Sequence, residues 1–241
     1  MDADILKFFL LLLAAHCIAD FLLQTTWMVR EKNRFAVLAL HAGIHALVTY
    51  LCLQQWNSLL LPTMVFVVHA SIDFTKTRLP RSVFYFALDQ LFHVLSLLAL
   101  AWIALSIEPF LLSDCWLVPP VWILLFGGFS ITVWGVGYFL LCFPAPSANS
   151  YPLQVTETSL GRFVKNPTLV GQMERTLIFG LVVSGYVLAV PLIASLKLVW
   201  LALTSKDRSA TWVLMVLTLW SFGLALLLSA LTHWAIGCDF I

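Results

Sequence analysis

Seven separate apolar runs, most of them near the length of a membrane-crossing helix, constrain this chain more than any other feature. They cover 5–29, 35–56, 59–74, 83–107, 121–143, 176–204 and 210–236. A helix needs about 20 mostly apolar residues to cross the hydrocarbon core. The runs therefore predict an all-α fold class, a polytopic transmembrane helical bundle of about seven spans. The third run is short and has Pro62 near its start, where proline either kinks a helix or marks its beginning. The sixth is long and contains Gly180, Gly185, Pro191 and Lys197, so it is expected as a tilted span or as a broken, re-entrant hairpin.

Composition closes off other classes. Of 241 residues, 61% are hydrophobic and 10% charged, against about 25% charged in a soluble domain. A net charge of +1 gives no field to gather a polyanion, so a nucleic-acid partner is excluded, as is a disordered regulator. Cys17, Cys52, Cys115, Cys142 and Cys238 show no CxxC spacing and read as small buried hydrophobes rather than as a disulfide framework or a thiolate metal site. The opening Met-Asp-Ala-Asp has no basic stretch, so the first run is expected to be a retained span.

Basic residues set the expected orientation. With the loop at 30–34 cytoplasmic, Arg30, Lys32, Arg34, Lys76, Arg78, Arg81, Arg162, Lys165 and Arg175 fall on one side, leaving Lys7, Lys206 and Arg208 opposite. The N-terminus is then periplasmic or exterior. A re-entrant sixth run would move Lys206 and Arg208 inside. Residues 144–168, rich in Pro, Ser, Asn and Thr, read as a cytoplasmic linker. The domain organisation is a four-helix unit over 1–110, a fifth helix within 111–143, that linker, and C-terminal helices over 169–241.

Ionisable groups inside the first four runs carry the chemistry. They are His16 with Asp20, His41 with His45, His69 with Asp73, and Asp89 with His93. Each is an i,i+4 pair and lies on one helical face. Polar groups in hydrocarbon are costly and mark function. Neighbouring spans run antiparallel, so groups late in helices one and three share a level with groups early in helices two and four, all in the cytoplasmic half. Gln24 extends the first stripe and Gln90 adjoins Asp89; both are candidates to orient a ligand from behind or to bridge helices. Three carboxylates at a depth lacking Lys or Arg must be protonated or neutralised by something else. Two divalent ions would supply four positive charges against three negative, leaving one to hold a hydroxide or an anionic group. Imidazole with carboxylate suits zinc first, and also iron or manganese.

The segments HCIADFLLQ, HAGIHALV, HASIDFTK and DQLFHVLSLL resemble a bacterial family of membrane proteins catalogued as domain of unknown function 3307. The likeness covers about the first hundred residues, and VGQMERTLIFG is similar to a later segment of longer members. The resemblance implies one architectural unit in a bacterial inner membrane and supplies no activity.

From the site, the expected function is a membrane metal-dependent hydrolase acting on an ester or phosphoester of a lipid or lipid-linked, amphiphilic substrate. The expected metal ligands are His16, Asp20, His41, His45, His69, Asp73, Asp89 and His93. Asp20 or Asp73 is a candidate general base, Lys76 a candidate for stabilising departing charge, and Arg175 a candidate for binding a lipid phosphate. Alternatives of other classes are a divalent metal transporter, a His-rich diiron oxidase and a structural membrane subunit.

Overall fold

The computed structural model describes residues 3–80, 82–107, 117–142, 167–204 and 208–237. Expectations resting on Arg81, Cys115, the 144–166 part of the linker with Arg162 and Lys165, Lys206 and Cys238 lie outside those residues. Among the described residues every regular element is helical.

The first apolar run does not form one helix. Helix α1, Ala3–Cys17, continues into a π-helical segment, Ile18–Leu23, and stops. Gln24 is extended, and the Thr25 side chain accepts the Met28 N–H at 3.2 Å to start a short α2, Thr26–Glu31. A hydroxyl that can cap a new helix competes with continuation of the old one. Gln24 thus sits in the break and does not extend the helical stripe by a turn. Helix α3, Phe35–Leu53, ends at Gln54, a non-glycine residue at φ 54°. That residue clamps a distant stretch of main chain: its Nε2 donates to Val118 O at 2.8 Å, and its Oε1 accepts from Leu117 N at 2.7 Å and Val118 N at 3.1 Å.

Helix α4 is Leu60–Lys76 and α5 is Val83–Ile107. Pro62 lies in the first turn of α4 and marks its start, where its missing N–H costs nothing. Then come α6, Pro120–Ser130, a second π segment, Ile131–Gly135, and α7, Val136–Leu141. Helices α8, Pro167–Val183, α9, Ala189–Thr204, and α10, Arg208–Gly237, complete the described chain.

The sixth apolar run takes the broken form. Between α8 and α9 the chain turns at Gly185, φ +87°. Tyr186 N donates to Leu181 O at 2.8 Å and Gly185 N to Val182 O at 3.0 Å, the paired bonds of a glycine-closed helix end. Among the described residues five stretches are long and apolar enough to cross a membrane: Asp4–Leu23, Phe35–Leu53, Val83–Ile107, Pro120–Leu141 and Thr211–Gly237. Against about seven runs in the sequence, α4 with 17 residues and α9 with 16 are shorter. These helices fit a multi-pass membrane protein.

The chain divides into two compact units, Met1–Ser130 with Ala235–Ile241, and Ile131–Trp234. The division falls inside the fifth apolar run, not at its end. In the first unit α1 packs against α3, α5 and α6 around Phe8, Leu11, Leu12, Ala15, Leu53 and Ala101. Glycine is required at 127, because a Cβ there would lie 2.5 Å from Ala14 Cα. That backbone approach seats α1 against α6. The second unit has its own core of Ile178, Val182, Val190, Phe222 and Ala225.

Candidate metal centre

The eight stripe residues converge inside the first unit. His16 and Asp20 come from α1 and its π extension, His41 and His45 from α3, His69 and Asp73 from α4, and Asp89 and His93 from α5. All are buried, from His41 at 0% exposure to Asp20 at 8%. The imidazoles pack ring against ring: His45 and His69 stack with centroids 3.5 Å apart, and His16 lies 4.9 Å from His93. The polar stripe turns inward because most of what these helices expose is apolar, as at Leu40, Leu47, Val67, Leu91 and Leu95.

Among the described residues two groups of donors are close enough to hold an ion: Asp20, His41, His45 and His69, and His69, Asp73 and His93. His41 Nε2 is 3.0 Å from Asp20 Oδ1 and 3.4 Å from Asp73 Oδ2. His45 Nε2 is 3.2 Å from Asp20 Oδ1, and His69 Nε2 is 3.3 Å from Asp73 Oδ2. A tetrahedral ion with bonds of about 2.05 Å sets its ligand atoms about 3.3 Å apart. The nitrogen–oxygen spacings are close to that edge, and within each group all donor atoms lie within 4.8 Å of one another. His16 Nε2 stands 3.5 Å from Asp20 Oδ2, and Asp89 Oδ1 is 3.5 Å from His93 Nδ1, so both flank the tight groups.

His93 is the most informative ring. Its Nδ1 donates to the Asp89 main-chain oxygen at 2.9 Å, which fixes the proton there and leaves a lone pair on Nε2. Among the described residues that buried Nε2 makes no hydrogen bond, and neither do Nε2 of His16 and Nε2 of His69, which stand 3.5 Å from Asp20 Oδ2 and 3.3 Å from Asp73 Oδ2. Buried nitrogens left unsatisfied in a folded interior cost about 1–3 kcal/mol each. Three of them in one chamber fit a cation far better than an apolar core.

The charge expectation needs correction. Two lysines do reach this depth: Lys32 Nζ contacts Asp73 Oδ2 at 2.7 Å, and Lys76 Nζ pairs with Asp89 Oδ2. Lys32 sits in the loop after α2, and its long apolar stem lets the ammonium reach inward from an exposed loop. Asp20 differs: among the described residues it meets the imidazoles of His16, His41 and His45. The uncompensated negative charge is therefore about one, not three. Sequence reasoning missed Lys32 because a basic loop reads first as an orientation signal.

Gln24 Nε2 lies 3.0 Å from His41 Nε2, against the cluster despite the break in the helix. Gln90 Nε2 donates to Asp89 Oδ2 at 3.1 Å. Lys76 is committed to Asp89 and stands 35% exposed at the side chain. Arg175 belongs to the second unit. There its Nε donates to Val133 O at 2.9 Å and its Nη1 to Ser221 Oγ at 3.2 Å. A Cβ at Gly137 would come within 2.9 Å of Nη2, so that glycine makes room for the guanidinium. Neighbouring Glu174 pairs with Lys197 at 2.5 Å.

Helices of membrane-crossing length around a buried, metal-capable His/Asp cluster define the class: a membrane-helix protein with a polar centre inside its N-terminal unit. Residues 8–117 match a family model described as protein of unknown function (DUF3307). The matched segment contains all eight stripe residues and Lys32, and it ends before α6. No curated protein and no solved structure matches the chain.

Proposed function

We propose that this protein is a metal-dependent hydrolase of the membrane, acting on an ester or phosphoester of a lipid or lipid-linked substrate. The observation that carries this reading is the buried chamber in which imidazole nitrogens of His16, His69 and His93 make no hydrogen bond beside carboxylates, with Asp20, His41, His45 and His69 offering donor atoms within 4.8 Å of one another. Asp20, His41, His45 and His69 would hold one ion, and Asp73 and His93 would serve a second position adjoining His69; zinc fits the donor set best. A metal of this kind lowers the pKa of bound water and polarises the scissile oxygen. Asp20 or Asp73 would serve as general base. Lys32 and Lys76 bring positive charge to where negative charge develops.

The contacts from Lys32 and Lys76 to the cluster support a location level with the basic loops. On the positive-inside rule that is the cytoplasmic leaflet, in a bacterial inner membrane with the N-terminus outside. Elemental analysis of the purified protein beside Asp73→Ala and His45→Ala tests the centre. The expected result is stoichiometric zinc or iron in wild type and its loss in both variants, with hydrolysis of a lipid ester lost in parallel. Retention of metal in both variants would sink the assignment. Metal flux into liposomes without hydrolysis would favour a transporter.

A further inference from the structure

A crevice of about 370 Å³ opens beside the cluster, lined by Lys32, Asn33, Phe35, Leu38, Phe74, Thr77 and Arg78. Its walls are the loop after α2, the first turn of α3 and the end of α4, all in the first unit. Two features set it apart. Its described lining has two cations and no carboxylate, and its walls are apolar, with Phe35 81% exposed and Phe74 47% exposed. We propose that this crevice binds the phosphate monoester headgroup of a lipid and presents it, past Lys32, to the His/Asp cluster. This assignment rests on the hydrolase reading for its consequence and on the crevice for its binding.

Lys32 joins the two places. A lysine ammonium has three donors, and Asp73 takes one of those on Lys32, so the same group can meet a second acceptor from the crevice side. Arg78 lies over the Phe74 ring at 4.1 Å, which holds an exposed guanidinium in place, and a guanidinium fork suits phosphate oxygens. Helix α3 begins at this wall with no side-chain cap at Arg34, so its first N–H groups add favourable potential for an anion. Exposed Phe35 and Phe74 beside these cations match a ligand that is anionic at one end and greasy at the other.

The test uses the full chain in nanodiscs of phosphatidylcholine doped with phosphatidic acid, supplied as its phosphonate analogue so that hydrolysis cannot deplete it. Retained lipid is read by native mass spectrometry after release into detergent, and metal content is measured on the same preparations. Wild type is expected to retain phosphatidic acid in preference to phosphatidylcholine. Arg78→Gln should weaken that retention about tenfold, the worth of a charge-assisted hydrogen bond, with Arg78→Lys partly restoring it and metal content unchanged in both. Equal retention of the two lipids, or retention indifferent to Arg78→Gln, would overturn the proposal. Displacement by an equal concentration of inorganic phosphate would overturn the lipid assignment. Absence of metal with Arg78-dependent retention intact would refute the hydrolase reading and leave the crevice standing.

Discussion

Replacing Lys32 by methionine separates a metal centre from a merely polar helix bundle. Asp73 is 2% exposed and Lys32 Nζ lies 2.7 Å from its Oδ2. Removing one partner of such a buried pair leaves an uncompensated charge and costs about 3–5 kcal/mol. For a chain of this size that lowers the unfolding midpoint by about 6–20 °C. If Asp73 is also a ligand, bound zinc supplies the missing positive charge. A ligand at a thousand times its Kd stabilises by about 4 kcal/mol, enough to offset most of the loss. In the variant, moreover, the ion no longer competes with an ammonium for the same oxygen. The expected pattern from thermal unfolding in detergent is a large deficit for Lys32→Met with chelator, nearly closed by zinc, and a smaller zinc-induced rise for wild type. Equal zinc-induced rises in both proteins, or a chelated variant as stable as wild type, would refute the reasoning.

Three further substitutions probe the frame around the site. His93→Gln removes the lone pair that the Asp89 main-chain oxygen aims inward, and should reduce bound metal by elemental analysis while leaving helical content by circular dichroism unchanged. Gln54→Leu removes the hydrogen bonds to the main chain of the exposed Leu117 and Val118 and is expected to cost about 1 kcal/mol in denaturant unfolding. Gly127→Ala drives a Cβ into the Ala14 backbone, which cannot swing aside as a side chain would. A loss of about 1–3 kcal/mol, with metal content reduced because α1 is displaced, is expected from denaturant unfolding and elemental analysis.

Much of the site was legible because i,i+4 spacing states which residues share a helical face, and antiparallel packing states which faces share a level. His16, Asp20, His41, His45, His69, Asp73, Asp89 and His93 are found together on those two rules alone. Gly185 likewise announces its turn, since few other residues adopt its positive φ without strain. Lys32 was not legible, because where a flexible stem carries its ammonium depends on the partner that awaits it. The break at Gln24 was hidden within an apolar run, where Thr25 looks like any small polar residue until it caps. Gln54 carried no sign of its clamp, which joins residues 63 and 64 positions away in sequence.

The wide turn at 18–23 bears on how such a site is aimed. A π segment accommodates a residue more than the regular helix does, and each residue gained or lost rotates the downstream side chains by about 100°. Because Ala14 is wedged against Gly127, that rotation is absorbed on the far side of the wedge, where Asp20 lies. Shortening this hexapeptide by one position would swing the carboxylate off the imidazoles while leaving the apolar frame in place. Chain length at this spot, as much as amino-acid identity, determines whether Asp20 faces the imidazoles.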